Sequence, residues 1–136
     1  MYIIIAGCES VGASLVTQLA AVGNDVAVID RDEENFSRLG SGSNCMMVTG
    51  IPIDEDVLKE AGIGHADALA AVTPDDNTNI MVAQIARQLY GIQTVIVCTS
   101  DPEKQQVLLK MGIQAICPVT LTVDSFFNKL KEGMEK

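Results

Sequence analysis

The sequence predicts an α/β fold in which six parallel strands form one doubly wound sheet. Three observations support this prediction. Short, almost wholly apolar runs alternate with amphipathic helical patterns along the 136 residues, and such runs are typical of parallel strands covered on both faces. Most helical patterns are followed by a glycine, the residue that favours a helix C-terminus. The first apolar run leads directly into a glycine-containing turn, and the second ends in an acid.

The expected elements alternate from one end of the chain to the other. The strands are the apolar runs at residues 2–6, 25–29, 45–49, 68–72, 94–97 and 115–117. The helices are the amphipathic segments at residues 11–22, 33–39, 54–61, 77–90, 102–111 and 121–136. The glycines that close the first five helices are Gly23, Gly40, Gly62, Gly91 and Gly112.

Connections between parallel strands are right-handed, and a doubly wound sheet built from this alternation has the strand order 3-2-1-4-5-6. Ligands bind such sheets at the carboxyl ends of the strands where the order reverses, which here are the loops at residues 7–12 and 73–77. No strand follows the helix at residues 121–136, whose apolar residues include Phe126 and Phe127. We therefore expect a nucleotide-binding domain at residues 1–118 and a C-terminal crossover helix within 119–136 that packs on another subunit.

The first turn matches a dinucleotide-binding fingerprint at two of its three glycines. The full pattern is G-x-G-x-x-G between a strand and a helix, with an acid at the end of the second strand, and it predicts a Rossmann-like fold. Gly7 and Gly12 occupy the first and third glycine positions, while Glu9 stands at the middle one. The candidate ligand residues of this turn are Gly7, Cys8, Glu9, Ser10, Val11 and Gly12.

Glu9 puts the ligand of this turn in question, because the middle glycine normally lets the backbone approach a pyrophosphate. A carboxylate about 4 Å from a phosphate costs roughly 4 kcal/mol at an effective dielectric of about 20. The favourable interaction of a negative charge with a helix N-terminus contributes only about 0.3–2 kcal/mol. If Glu9 points inward, pyrophosphate binds poorly; if it points to solvent, the amides of Ser10 to Gly12 still donate. AMP would meet less repulsion than NAD.

Three further candidates lie at the ends of the second and fourth strands. Asp30 ends the second strand, where its carboxylate can accept both ribose hydroxyls and would repel a 2′-phosphate, which favours NAD or adenosine ligands over NADP. The alternative for Asp30 is an ordinary turn acid. Thr73 and Asn79 follow the fourth strand on the ligand side, or they belong only to the start of the next helix.

Composition narrows the function classes. The net charge of -9, from 18 acids and 9 bases, argues against binding to nucleic acid and favours a basic partner. The cysteines show no C-x-x-C spacing, so we expect reduced thiols and no metal. Without a basic leader or a membrane-length apolar stretch, a cytosolic protein is expected. His65, the only histidine, has no nucleophile pattern beside it and is expected to be a structural surface residue.

Taken together, the segments at residues 1–32, 54–63, 66–79 and 100–102 resemble the TrkA N-terminal domain family, also called the RCK N-terminal or KTN domain. The resemblance implies a cytosolic regulatory subunit that gates a Trk- or Ktr-type potassium uptake system or a potassium channel. It implies binding of NAD(H) or an adenine nucleotide (AMP, ADP or ATP) and assembly as dimers within rings. A second regulatory chain and a location at the inner face of the membrane, held through the partner, are also implied. It suggests a regulator and not a catalyst.

The chain departs from the family pattern at four positions. Glu9 replaces the usual glycine and Ser10 a frequent arginine, Ile51 follows Gly50 where a Gly-Asp pair is common, and Cys98 replaces a frequent basic residue. By the same resemblance, Gly50 and Ile51 belong to the site and Arg31 lies beside the adenine. Two alternatives stay open: an assembly module of the same family that no longer binds nucleotide and, more remotely, a small NAD-dependent oxidoreductase, for which no Tyr-x-x-x-Lys pair is present.

Overall fold

The computed structural model describes residues 1–40 and 44–135. Within these ranges, six strands form one parallel sheet of order β3-β2-β1-β4-β5-β6, which confirms the predicted topology. The strands are β1 (Tyr2–Ala6), β2 (Asp25–Asp30), β3 (Met46–Thr49), β4 (Ala68–Ala71), β5 (Thr94–Cys98) and β6 (Gln114–Ile116). The α-helices are α1 (Ser10–Ala21), α2 (Glu55–Glu60), α3 (Asp76–Gln84), α4 (Pro102–Lys110) and α5 (Pro118–Met134).

Three predicted helices differ from the structure. The one at residues 33–39 is a 3-10 helix, Glu33–Leu39, and the second half of the one at 77–90 is a π-helical segment, Ile85–Leu89. The last helix begins at Pro118 and not at Leu121, because proline loses no hydrogen bond at the first helical position. Its predicted end, Lys136, lies outside the described residues. The five helix-closing glycines adopt positive φ, as expected, between 65° and 93°.

Alternate residues of each strand point to opposite faces of the sheet, and different helices cover the two faces. On one face, Ile4 of β1 belongs to a buried cluster with Leu58, Val82 and Leu108 from α2, α3 and α4. On the other face, Ile5 belongs to a second cluster that α1 and the 3-10 helix Glu33–Leu39 complete. The strand order reverses between β1 and β4, next to β2.

The second face is incompletely covered at β5 and β6. Ile96 is only half-buried there, and Ile116 is 46% exposed. A single residue, Cys117, separates β6 from α5, and no residue of α5 is buried. The apolar residues that α5 exposes are Val119, Leu121, Val123, Phe126, Phe127, Leu130 and Met134. One chain thus carries both an uncovered apolar sheet surface and an unpacked apolar helix.

Among the helices of residues 1–40 and 44–135, none combines the length and the apolar character that a membrane span requires.

Candidate functional site

A pocket of about 420 Å³ opens at the carboxyl edge of the sheet, above β1, β2 and β4. This is the edge and the strand reversal at which the sequence predicted a ligand. Five of the predicted residues line the pocket: Gly7, Glu9, Asp30, Arg31 and Thr73. Six lining residues were not predicted as ligand contacts: Asp32, Asn35, Pro52, Pro74, Asp75 and Thr78.

Gly7 and Gly12 are required by the packing of the backbone itself. Gly7 has φ +109°, and a Cβ on it would lie 2.9 Å from the amide nitrogen of Thr73. A Cβ on Gly12 would lie only 1.7 Å from the carbonyl oxygen of Gly7. These two glycines let α1 sit directly on the turn and let the turn approach the loop after β4. They therefore serve the fold whether or not a ligand binds.

Glu9 stands at the N-cap of α1 in extended conformation, and its side chain makes no capping hydrogen bond. It is exposed and lines the pocket. The first backbone hydrogen bond of the helix runs from the amide of Ala13 to the carbonyl of Glu9, at 2.8 Å. The amides of Ser10, Val11 and Gly12 precede it and have no intrahelical acceptor. A carboxylate and three available amide donors therefore share one end of the site.

Asp30 is almost fully buried, with 6% of its surface exposed. One carboxylate oxygen, Oδ2, accepts a hydrogen bond from the amide of Cys8 at 2.8 Å. The other, Oδ1, accepts from the amide of Asp32 at 2.8 Å and from Nδ2 of Asn35 at 3.1 Å. Asp30 thus joins the turn after β1 to the turn after β2. Because a carboxylate offers about four acceptor sites, this structural role leaves capacity for a ribose hydroxyl.

Cys8 is fully buried behind the turn, with its Sγ 3.6 Å from the carbonyl oxygen of Asn35. Burial, followed by the nearby Asp30 carboxylate, raises the pKa of the Cys8 thiol to about 11. The thiol is therefore protonated at neutral pH, and its side chain is absent from the pocket lining. All four cysteines are free thiols in the structure.

Asn79 holds the loop after β4 in place. Its Nδ2 donates to the carbonyls of Thr73 (2.9 Å) and Cys98 (3.0 Å). Its Oδ1 accepts from the amide of Thr73 at 2.9 Å and from the Thr73 hydroxyl at 2.7 Å. The side chain has no exposed surface, so Asn79 positions Thr73, and Thr73 is the one of the two that lines the pocket.

The start of α3 contributes two residues that the sequence analysis did not single out as ligand contacts. Asp75 caps α3, since its Oδ2 accepts from the Thr78 amide at 3.1 Å and from the Thr78 hydroxyl at 2.6 Å. These bonds lower the pKa of Asp75. Both residues line the pocket, whose charged groups are the carboxylates of Glu9, Asp30, Asp32 and Asp75 and one guanidinium, that of Arg31.

Asp76 ties α3 to the end of β5. Its carboxylate accepts from the Thr99 hydroxyl (3.1 Å), the Ser100 amide (3.0 Å) and the Ser100 hydroxyl (2.7 Å). Burial alone would raise the pKa of Asp76. The bonds from Ser100 and Thr99, together with the positive charge of Lys104, outweigh burial and lower it. This network fixes the α3 N-terminus beside the pocket.

The remaining predicted residues lie next to the pocket but not in its lining. Gly50 donates its amide to the Asp30 carbonyl at 3.0 Å, and a Cβ on it would meet Val57 Cγ2 at 2.5 Å. Ile51 is 52% exposed, and its neighbour Pro52 takes the place in the lining that was expected of it. The predicted residues outside the lining are Cys8, Ser10, Val11, Gly12, Gly50, Ile51 and Asn79.

A parallel sheet of order 3-2-1-4-5-6 with a pocket at the strand reversal and an acid at the end of β2 defines a Rossmann-type domain. The sequence identifies the family of this Rossmann-type domain. The sequence model of the TrkA-N domain family matches residues 3–118, so the chain belongs to that family.

The chain is similar to known proteins in sequence and in fold. The chain is 43% identical over 130 residues to the Trk system potassium uptake protein TrkA of Streptomyces coelicolor, covering 96% of this chain and 58% of that protein. The chain thus spans little more than half of this relative. The TrkA-N domain of the Escherichia coli inner membrane protein ybaL has a similar fold, with a TM-score of 0.84, 17% identity and coverage of 95% and 96% of the two chains. The AMP-bound Kef C-terminal domain of Shewanella denitrificans gives a TM-score of 0.75, 19% identity and coverage of 99% and 80%.

Proposed function

We propose that this chain is a cytosolic regulatory subunit that binds a nucleotide and gates a potassium uptake transporter or channel in the membrane. The observation that carries the proposal is the pocket at the strand reversal, with Asp30 in its lining, in a chain of the TrkA-N family. The Streptomyces relative, named as a potassium uptake protein, supports the potassium partner. Nucleotide binding would shift the subunit assembly between two arrangements and so bias the pore.

The proposed ligand is NAD(H) or an adenine nucleotide. Asp30 and Arg31 both line the pocket, where the Asp30 carboxylate would accept ribose hydroxyls. The AMP-bound Kef domain supports an adenine nucleotide in a pocket of this fold. The pocket lining includes no histidine, cysteine, lysine or tyrosine among the described residues. His65 precedes β4 and so lies toward the opposite edge of the sheet, where its ring packs against Tyr2 at 4.7 Å between centroids. These placements favour a regulator over an oxidoreductase.

Isothermal titration calorimetry with NAD, NADH, AMP, ADP and ATP tests nucleotide binding directly. We expect at least one of them to bind with one site per chain, and Asp30→Asn to abolish that binding at a temperature well below its unfolding transition. At a ligand concentration of about a hundredfold the dissociation constant, the same ligand should stabilise the wild-type protein by roughly 2.7 kcal/mol. Absence of binding by all five would contradict the proposal and favour the assembly module.

The proposed assembly is a dimer in which α5 of each copy packs on the other copy. Only Cys117 joins α5 to β6, and no residue of α5 is buried, so the helix does not cover its own sheet. The uncovered surface at Ile96 and Ile116 is apolar, as is the exposed side of α5. Exchange of the two helices about a twofold axis would cover both surfaces at once.

Light scattering after size exclusion tests this assembly. Phe126 is 67% exposed on α5, and we expect Phe126→Asp to convert the dimer to a monomer. Val22 is 77% exposed at the C-terminal end of α1 and belongs to neither apolar surface, and Val22→Asp should leave the dimer intact. A Phe126→Asp protein with the mass of the wild-type assembly would contradict the exchange of α5.

A further inference from the structure

The fingerprint glycines of this chain separate into two kinds. Gly7 and Gly12 are the positions at which a Cβ would strike backbone, at 2.9 Å and 1.7 Å respectively. The middle position, now Glu9, lies in the pocket lining and is exposed. The chain therefore keeps the glycines that its own backbone needs and carries a carboxylate at the position where a ligand phosphate would approach.

The hydrogen-bond donors of the turn point to the same conclusion. The amide of Gly7 donates to the carbonyl of Ile29 at 2.7 Å, and the amide of Cys8 donates to Asp30 at 2.8 Å. Neither is available to a phosphate. The available amides are those of the first turn of α1, and that turn begins immediately after Glu9. Any phosphate bound by these amides must therefore lie beside the backbone of Glu9, whose side chain lines the same pocket.

No positive side chain within the described pocket lining compensates Glu9 at this end. The one guanidinium of the lining, Arg31, follows Asp30 at the end of β2, at the ribose end of the site. Asp75 adds another carboxylate from the start of α3. Each additional phosphate charge is therefore repelled, while an uncharged adenosine is not.

From this arrangement we infer that Glu9 selects the ligand by charge, so that the pocket binds adenosine and AMP and rejects the more highly charged ADP and ATP. The inference rests on the proposed function, because it names which nucleotide the same pocket takes. The rejection is about tenfold for one added phosphate charge, which corresponds to a separation of about 6 Å at an effective dielectric of about 40.

Calorimetric titration of adenosine, AMP, ADP and ATP into the wild-type protein, Glu9→Gln and Glu9→Gly tests the inference. We expect AMP to bind the wild-type protein at least tenfold more tightly than ADP. Glu9→Gln and Glu9→Gly should each tighten ADP binding about tenfold more than AMP binding and change adenosine binding less than twofold. Glu33→Gln is the matched control, because Glu33 is an exposed acid outside the lining, and it should leave all four affinities unchanged.

The outcomes separate this inference from the proposed function. ADP or ATP binding to the wild-type protein as tightly as AMP, or Glu9→Gln tightening all four ligands equally, would overturn charge selection and leave nucleotide sensing in place. Failure of AMP to bind the wild-type protein, with binding restored by Glu9→Gln, would overturn the preference for AMP. Failure of every ligand with all proteins would overturn both.

Discussion

Replacing Asp30 by asparagine should destabilise the protein even when no nucleotide is present. The carboxylate accepts from Cys8 on one oxygen and from Asp32 and Asn35 on the other, at 2.8–3.1 Å, with 6% of the residue exposed. An asparagine can accept at only one of the two positions, so its NH₂ group must face at least one buried donor. A hydrogen bond to a charged group contributes about 1.5–3 kcal/mol, and an unsatisfied buried donor costs about 1–3 kcal/mol. The expected loss is on the order of 3–5 kcal/mol.

Urea unfolding of the ligand-free proteins measures this loss through the midpoint and the slope m. Glu9→Gln is the control within the same pocket, because Glu9 is exposed and makes no capping bond; it should change stability by less than about 0.5 kcal/mol. An Asp30→Asn protein that loses less than about 1 kcal/mol, with m unchanged, would refute the view that Asp30 joins the two turns.

Three further predictions concern residues that support the pocket without lining it. Gly12→Ala should cost on the order of 3 kcal/mol in urea unfolding, because its Cβ would lie 1.7 Å from a carbonyl oxygen, whereas Gly64→Ala, with nothing within 4 Å, should be near neutral; equal losses would contradict the packing argument. The folded-state pKa of Asp76 is lowered, so the stability it contributes is full at neutral pH and is lost as the pH falls through that pKa. The stability gap between the wild-type protein and Asp76→Asn should therefore shrink on acidification, and a gap that widens would be the wrong sign. Cys8, buried and with a pKa of about 11, should resist iodoacetamide in the folded protein and react in urea, as mass spectrometry can show; labelling as fast as that of half-buried Cys45 would contradict its burial.

Local patterns were sufficient to predict the strands, the approximate positions of the α-helices and the strand order. Runs such as Tyr2–Ala6 and Asp25–Asp30 are continuous in sequence, and a right-handed connection rule converts their order in the chain into their order in the sheet. The fingerprint turn was equally local, since Gly7, Glu9 and Gly12 lie within six residues. The 3-10 character of Glu33–Leu39 was not predicted, because both helix types bury similarly spaced residues over so short a segment.

Only the tertiary structure decided which side chains form the pocket and which support it. Asn35, Pro52 and Thr78 come from three separate segments and meet because their strands end at the same edge of the sheet. The side-chain amide of Asn79 could bind a ligand, judged by its donor and acceptor groups alone. In the fold it is completely buried and hydrogen-bonded to the ends of β4 and β5. The sequence by itself determined the fold, since periodicity and turn chemistry act between near neighbours. The environment of each polar side chain depends on contacts between distant segments, and those exist only once the sheet has formed.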